Sequence, residues 1–263
     1  RDHCVTGVQT CALPIWLKLY NRKPEYTTMV DKYAVREYIA DKLGEEYLIP
    51  LLGVWNNPND IDFTVLPEQF VLKCNHNSGM GMCICKNKNE LNIDNIKNKL
   101  KSGLKQNYYL TSREWPYKNV KRKIIAEKYI EDSKGEFVDY KFFAFNGYVP
   151  CVMVCIDRHI NDTKFYFFDK DWNLLKLNKR GKEASPNFTL PKPKNISEMF
   201  KIAEKLSKDI PFVRIDLYNA DGKIYFGEIT FFPDSGFDKN LLCKTDEYFG
   251  KLINLKGIKK WKQ

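Results

Sequence analysis

The stretch Arg214–Pro233, RIDLYNADGKIYFGEITFFP, shows the clearest structural pattern in this sequence. It predicts a hairpin of two strands, Phe212–Tyr218 and Lys223–Phe232. Its centre, Asn219–Gly222, holds Asn and Asp-Gly, which favour the left-handed conformations of a tight hairpin turn. Arg214 and Asp216 are two residues apart, so their side chains are expected on the same face of the sheet.

The second strand of this hairpin carries a carboxylate, Glu228. Counting outward from the turn, Asp216 and Glu228 lie near-opposite and converge on one face. Glu228 is flanked by apolar and aromatic residues: Tyr225, Phe226, Ile229, Phe231 and Phe232. Burial of a lone carboxylate there is costly, and a bound Mg²⁺ would offset that cost. The residues therefore favour a metal site over a pair of solvated acids.

A glycine-bearing loop follows an earlier predicted strand, Phe70–Cys74. The loop, Asn75–Gly81, leads into a short second strand, Met82–Cys85. Lys73 lies just before the loop residues Ser78, Gly79 and Gly81. Glycine allows backbone N–H groups to approach an anion closely, and a lysine supplies a point charge for phosphate. The same pattern also fits an ordinary hairpin turn, so both interpretations stay open from these residues alone.

The remaining periodicity predicts an α+β protein of mainly antiparallel strands with helices on one face, in two lobes. The predicted helices are Met29–Leu43, Ile93–Leu104 and Ile196–Leu206. The other predicted strands are Lys123–Ile130, Tyr140–Phe145, Val149–Ile156 and Lys164–Phe168, with an Asn146-Gly147 turn and a surface loop over Asn178–Asn195.

Composition excludes several classes of protein. The chain has 43 Lys and Arg against 33 Asp and Glu, a net charge of +10, and 43% hydrophobic residues, as in an ordinary globular protein. Its longest apolar run, Val149–Ile156, is too short to span a bilayer. Beyond the first 15 residues, five cysteines lie in strand-like runs and Cys243 is isolated, which indicates reduced, buried thiols. Cys74, His76, Cys83 and Cys85 lack the two-residue spacing typical of zinc ligands.

The first residues, Arg1–Ile15, have no helical or strand period and resemble the translation of a sequencing adapter. We expect this segment to be non-native and exclude it from the fold prediction. An N-terminal lobe that is short or truncated follows from that expectation. The predicted divisions are this segment, a helical segment over residues 16–66, and two subdomains over residues 67–130 and 131–263.

Taken in order, these motifs resemble the ATP-grasp superfamily, and more closely the TupA-like ATP-grasp proteins of bacterial surface-polysaccharide gene clusters. The closer resemblance rests on DKYAVREYI, VLKCNHNSG, DYKFFAFNG, FDKDWN and RIDLYNADGKIYFGEITFFP, and it covers about residues 25 to 240. It implies two lobes with a cleft between them that binds ATP and Mg²⁺.

The resemblance also implies roles for individual residues. Lys32 and Lys73 would hold the nucleotide phosphates, with the Ser78–Gly81 loop closing over them. The backbone of Glu127, Lys128, Tyr129 and Ile130 would pair with adenine. Asp216 and Glu228 would ligate magnesium, Arg214 would clamp a γ-phosphate or acyl phosphate, and Lys141 would face substrate or phosphate.

The chain departs from the family pattern at the metal site. The usual Glu-x-Asn ending is here Glu228-Ile229-Thr230. Two places further on, Phe232 replaces the family's usual basic residue. Thr230 would have to ligate through its hydroxyl, or Asp234 would have to replace the asparagine, which puts two-metal occupancy in doubt.

The implied reaction phosphorylates a carboxylate with ATP and joins it to an amine, in the synthesis of a cell-surface polysaccharide or teichuronopeptide. The net charge suits an anionic substrate and peripheral contact with the anionic inner membrane face, while the cysteine usage indicates a cytoplasmic protein. The alternative is a glycosyltransferase-like protein, with Asp169-Lys170-Asp171 as its D-x-D candidate. No nucleic-acid partner is expected, because the basic clusters Lys118–Lys123 and Lys256–Lys262 belong to a mixed, solvated surface.

Overall fold

The computed structural model describes residues 12–133, 135, 138–157, 162–256 and 258. They divide into two compact units: Lys23–Glu131, and the residues up to Arg22 together with those from Asp132 onward. This division differs from the predicted segments. Residues 23–66 are part of the first unit because a strand at Leu51–Trp55 pairs with one at Ile124–Lys128 in a single sheet.

The Lys23–Glu131 unit contains an antiparallel sheet in the order β1-β4-β2-β3. Its strands are β1 (Leu51–Trp55), β2 (Phe70–Cys74), β3 (Cys83–Cys85) and β4 (Ile124–Lys128). Its helices are α2 (Glu25–Val30), α3 (Val35–Lys42), α4 (Ile93–Lys105) and α5 (Tyr108–Ser112). The predicted hairpin of β2 and β3 is confirmed, with Phe70 paired to Cys85. Strand β1 and helix α5 were not predicted from the sequence.

Alternation along β2 and β4 gives this sheet one apolar face. Phe70, Leu72, Ile124 and Ala126 are fully buried on that face and pack with Ile96 and Leu100 of α4 in one hydrophobic core. Burying such side chains contributes roughly 1.5–3 kcal/mol each. The intervening residues, which include Lys73 and Glu127, therefore lie on the opposite face.

The predicted helix Met29–Leu43 is wrong in one respect, because it is interrupted after Val30. Asp31 has an extended backbone, with ψ of 109°. Its carboxylate accepts hydrogen bonds from the backbone N–H groups of Tyr33 (2.8 Å) and Ala34 (3.2 Å). An aspartate that satisfies free amides at a helix start favours a new helix there over continuation of the old one. Lys32 consequently lies in the turn between α2 and α3.

The second unit contains an antiparallel sheet in the order β10-β9-β5-β6-β7-β8. Its strands are β5 (Asp139–Phe145), β6 (Tyr148–Ile156), β7 (Lys164–Phe168), β8 (Leu174–Leu175), β9 (Val213–Ala220) and β10 (Lys223–Thr230). Its helices are α1 (Ala12–Tyr20), α6 (Lys179–Glu183), α7 (Ile196–Leu206) and α8 (Cys243–Leu252). The prediction of an α+β fold with antiparallel sheets is confirmed.

Two tight turns close the hairpins of this sheet, as the sequence predicts. Asn146 and Gly147 have φ of 51° and 85°, and Asp221 and Gly222 have φ of 51° and 91°. These paired left-handed residues match the right-handed twist of the strands. One face of the sheet packs on α7, where Phe142 meets Phe200 edge to face with ring centroids 5.1 Å apart.

Three sequence predictions need correction. The last residues of the excluded N-terminal segment are helical, since α1 begins at Ala12, and Pro14 and Ile15 approach Gly236. Residues 1–11 of that segment lie outside the described residues. The predicted loop Asn178–Asn195 contains α6, whose start is capped by the Asn178 side chain. Helix α8 and strand β8 were not predicted at all.

The cysteines largely follow the prediction of free thiols. Cys74, Cys85 and Cys151 are buried free thiols, Cys83 is a half-buried free thiol, and Cys155 is also buried. Cys243 departs from it, because it takes part in a disulfide. Within the described residues, no helix combines the length and the apolar character that a membrane span requires.

We predict that Gly103→Ala destabilises the protein, although alanine normally favours a helix interior. A Cβ at position 103 would lie 2.8 Å from both the Cys74 sulfur and the Gly81 Cα, where the glycine loop meets α4. Overpacking of this kind costs about 1–3 kcal/mol. Urea unfolding measures the loss. Ser102→Ala, at the neighbouring exposed position, serves as the control. Equal stability of the two variants would contradict the packing argument.

Candidate functional site

Lys73 and Glu127 form an ion pair on the polar face of the first sheet. In the β2–β4 register Lys73 is opposite Ile125 and Glu127 is opposite Val71, so the two side chains are diagonal neighbours. Lys73 Nζ lies 2.6 Å from Glu127 Oε2, with 18% and 8% of the side chains exposed. The predicted phosphate lysine and the first residue of the predicted adenine segment are therefore in direct contact.

Lys32 is held in the turn before α3 by two backbone contacts. Its N–H donates to the carbonyl of Asn75 (3.1 Å), and its Nζ donates to the carbonyl of Asn77 (3.0 Å). Asn75 and Asn77 directly follow β2, the strand that carries Lys73. Both predicted phosphate lysines are thus tied to the same strand end.

Asn75 organises this region from a fully buried position. Its Nδ2 donates to Asp31 Oδ1 (2.7 Å) and to the Lys121 carbonyl (2.9 Å), while its Oδ1 accepts from the Lys123 N–H (2.7 Å). One side chain therefore links the Lys32 turn, the end of β2 and the approach to β4. The sequence analysis treated Asn75 only as a loop residue, since an asparagine in a turn-rich segment gives no signal of burial.

The other predicted nucleotide residues are more exposed. Ser78 and Gly79 lie on the surface and Gly81 is half-buried; Gly79 and Gly81 have φ of 83° and 75°, which favours glycine. In the predicted adenine segment the N–H of Lys128 donates to the Pro50 carbonyl (3.0 Å). Tyr129 is half-buried, with Lys86 Nζ 5.1 Å from its ring centroid, and Ile130 is also half-buried.

In the second unit, a row of charged residues crosses three adjacent strands on one sheet face. Lys141 of β5 pairs with Asp216 of β9, and Asp216 pairs with Glu228 of β10. A bulge at Gly227 restores this register, and a Cβ there would lie 2.9 Å from the Asp216 carbonyl oxygen. The prediction that Asp216 and Glu228 lie opposite one another is confirmed.

Arg214 joins the members of this row. Its Nε and Nη2 donate to the two oxygens of Asp216 at 2.7 and 2.8 Å. Its Nη2 also lies 3.4 Å from Glu228 Oε1 and 3.3 Å from Thr230 Oγ1. Asp216 is 1% exposed, and burial raises the pKa of its carboxyl, an effect that the contacting charges of Arg214 and Lys141 oppose.

Lys141 is the second cation of the cluster. Its Nζ contacts Asp216 Oδ2 and lies 2.8 Å from Asp139 Oδ2, and the residue is 6% exposed. Burial alone would lower the pKa of Lys141, but the charges of Asp216 and Asp139 outweigh it and raise that pKa. Burial would likewise lower the Arg214 pKa, but the charges of Asp216 and Glu228 outweigh this effect and raise it. Both cations therefore stay protonated.

The cluster fits a magnesium ion only with help from other oxygens. Three carboxylates, Asp139, Asp216 and Glu228, face two cations, which leaves one net negative charge. Within the described ranges, no group of three or more His, Cys, Asp or Glu residues could hold a metal by itself. Mg²⁺ is commonly bound by one or two carboxylates plus phosphate oxygens. The donor set therefore suits a cation that arrives with a polyphosphate.

Asp234 and Asp169, the two further acids of interest, occupy turns. Asp234 has φ of 47° and lies in a left-handed turn after β10. Burial, together with the charge of Asp234, raises the pKa of the nearby Asp238. Asp169, from the D-x-D alternative, accepts from the backbone and side-chain nitrogens of Asn173 at 2.8 and 3.0 Å. This bonding accounts for Asp169 as a turn residue between β7 and β8.

Comparison with known proteins identifies the family. A family model described as TupA-like ATPgrasp matches residues 14–254. The structure resembles the D-alanine–D-alanine ligase of Bacillus anthracis complexed with ATP, with a TM-score of 0.52, 17% identity, and coverage of 86% of this chain and 63% of that one. It resembles the corresponding Helicobacter pylori enzyme with a TM-score of 0.50, 16% identity, and coverage of 93% and 69%.

The chain thus spans slightly less than two-thirds of the length of the first of these ligases. A search among curated proteins returns no match. At these identities the solved structures establish the fold, which is the ATP-grasp fold that the motifs predict.

We predict that Asn75→Ala lowers the free energy of unfolding by about 2–4 kcal/mol, because it leaves buried partners without hydrogen bonds. Asn77→Ala is the matched control, since the Asn77 side chain donates to one carbonyl, that of Gly103 (3.2 Å). Urea unfolding of both variants decides the matter. A loss for Asn75→Ala no larger than that for Asn77→Ala would contradict the organising role.

We predict that Lys141→Met lowers the free energy of unfolding by about 3–5 kcal/mol near neutral pH, since it leaves buried carboxylates uncompensated. Loss of the lysine charge raises the Asp216 pKa further above its unfolded value. The loss of stability caused by the substitution grows as pH rises through the Asp216 pKa, because the uncompensated carboxylate then becomes charged. The loss should therefore be smaller at acid pH. Denaturant titrations at several pH values measure this. Lys164→Met, at a partly exposed ion pair, should change little.

Proposed function

Since this chain belongs to the TupA-like ATP-grasp family, we propose that it binds Mg-ATP and uses it to activate a carboxylate for ligation to an amine. The observation that carries the proposal is the placement of Lys73 and Lys32 at one strand end, beside an exposed glycine-bearing loop. Clustered ammonium groups and accessible backbone amides are the chemistry that binds phosphate.

In this proposal Lys32 and Lys73 bind the phosphates, and the Ser78–Gly81 loop closes over them. The segment Glu127–Ile130 carries the adenine contacts through its backbone. Two observations support these assignments. The lysine turn is anchored by the buried Asn75, and Gly81 packs tightly enough on Gly103 to hold the base of the loop in place.

Arg214, Lys141 and the acids around them would act on the reacting groups. Arg214 offers a guanidinium to a γ-phosphate or acyl phosphate, and Lys141 adds a second positive charge. Glu228, with Asp216 and Thr230, would hold magnesium together with the phosphates. When bound, the ion neutralises charge on the transferring phosphoryl group. The 32% exposure of the Glu228 side chain supports its assignment as the accessible ligand.

The proposed reaction has two steps. A carboxylate oxygen of the first substrate attacks the γ-phosphorus, the bond to the bridging oxygen breaks, and ADP leaves. An amine then attacks the acyl carbon, phosphate leaves with the electron pair of the C–O bond, and the amine loses a proton. Catalysis of this type rests on positioning and charge neutralisation instead of a nucleophilic side chain.

The substrates we propose are a uronate or peptide carboxylate and the amine of an amino acid or amino sugar, within a cell-surface polysaccharide or teichuronopeptide. Support comes from the family and from the net charge of +10, which attracts anionic substrates. The same charge supports peripheral contact with an anionic membrane face, and the free buried thiols of Cys74, Cys85 and Cys151 support the proposal of a cytoplasmic protein.

We predict that ATP with Mg²⁺ stabilises the protein against heat, and that Lys73→Ala loses most of this effect. Ligand at a hundred times its Kd adds about 2.7 kcal/mol of stability. Differential scanning fluorimetry measures the shift. Lys101→Ala, at an exposed lysine of α4, is the matched control and should respond like the wild type. Absence of any shift at millimolar nucleotide would count decisively against the proposal.

The reaction itself is tested by ADP release with a panel of uronates and amino acids. Release that requires both a carboxylate and an amine supports ligation, and Glu228→Gln should abolish it. If the protein binds nucleotide but no pair of carboxylate and amine substrates stimulates ADP release, the proposed ATP site stands and these substrate classes are rejected.

A further inference from the structure

Arg36 belongs to a chain of three charges in the Lys23–Glu131 unit. Arg36 Nη1 lies 3.1 Å from Glu127 Oε1, and Lys73 Nζ lies 2.6 Å from Glu127 Oε2, so each carboxylate oxygen has its own cation. The exposed fractions of the Arg36, Glu127 and Lys73 side chains are 16%, 8% and 18%. No role for Arg36 was predicted from the sequence.

The backbone positions both ends of this chain. Glu127 and Lys73 are diagonal neighbours on β4 and β2. Arg36 is on α3, and its second arm, Nη2, donates to the Ile49 carbonyl at 2.8 Å. One planar guanidinium therefore binds Glu127 with one nitrogen and the main chain with the other. A lysine has a single ammonium and cannot hold two acceptors in this fixed geometry.

The Lys73–Glu127 contact poses a problem for anion binding. A carboxylate 2.6 Å from the ammonium competes with any phosphate for Lys73, and its charge repels a polyanion. Lys73 and Glu127 together carry no net charge, whereas the three residues together carry one positive charge. Arg36 thus determines whether this position attracts or ignores a polyphosphate.

We infer that Arg36 is a positioning residue for phosphate capture. It binds Glu127 firmly enough that the carboxylate remains neutralised when Lys73 turns from Glu127 to a nucleotide phosphate. Without Arg36, Glu127 holds Lys73 more tightly and repels the incoming anion. This inference deepens the proposed function and rests on it, because it presupposes that Lys73 binds phosphate.

A purely structural role for Arg36 makes a different prediction. If Arg36 only fastens α3 to Ile49, its loss lowers stability, and any effect on nucleotide binding is the same whether or not Glu127 is charged. If Arg36 acts through Glu127, its effect on binding depends on that charge. A double-mutant cycle separates the two roles.

The experiment measures the Kd for ATP at fixed Mg²⁺ by calorimetry in the full chain, for Arg36→Gln, Glu127→Gln and the double variant. We expect Arg36→Gln to weaken binding about tenfold or more in the wild-type background, as coupled buried charges do. With Glu127→Gln present, the further change should be under about threefold. Arg36→Lys, which keeps the charge, should recover part of the loss.

Lys42→Gln is the matched control, because it removes the same charge from the exposed end of α3, where Lys42 lies over the Tyr38 ring. Its Kd should stay near that of the wild type. Equal effects of Arg36→Gln in both backgrounds, or none in either, would overturn the inference. Should Arg36→Gln fail to fold, the same cycle is run with Arg36→Lys. Wild-type protein that binds no ATP would reject the proposed function itself.

Discussion

The bidentate pair between Arg214 and Asp216 is the interaction on which the polar half of the larger sheet depends. Asp216 is almost completely buried in the middle of three strands, and a carboxylate there is tolerable only with cations in contact. Lys141 enters from the neighbouring strand β5, and Glu228 is held against the same guanidinium from β10. Removing either cation leaves buried carboxylates uncompensated, so Arg214, Asp216 and Lys141 act as a unit.

The smaller unit obeys the same constraint with different residues. One face of its sheet is apolar and packs on α4, while the other carries Glu127 between two cations. In both units, the charged residues to which we assign phosphate and magnesium binding in the proposed function are already paired with each other. In the proposed function, a cation leaves its carboxylate to bind the ligand. The affinity for the ligand then depends on how firmly the cation that stays behind, Arg36 or Lys141, holds that carboxylate.

The sequence determined most of the secondary structure and the pairing of the acids. Strands such as Phe70–Cys74 and Lys164–Phe168 and the helix Ile196–Leu206 have strong periodicity and were predicted with their observed bounds. The hairpin turns were predictable because Asn-Gly and Asp-Gly dictate a left-handed backbone locally. The near-opposite placement of Asp216 and Glu228 followed from counting outward from such a turn, and the bulge at Gly227 then brings the two residues into direct register. The family motifs extended these local patterns to the ATP-grasp fold.

Tertiary structure alone decided which charges meet and which polar residues are buried. Arg36 and Glu127 are 91 residues apart, and Asn75 is 44 residues from Asp31 and 48 from Lys123, so no local pattern reports these contacts. Asp31 interrupts the predicted helix because its carboxylate accepts a hydrogen bond from the free backbone N–H of Tyr33. The hydrophobic periodicity of the sequence does not indicate this interruption. Long-range pairing of this kind depends on which sheet faces and helices pack together. For that reason the chemistry of single residues and the partners within one hairpin could be predicted from the sequence, whereas partners distant along the chain could not.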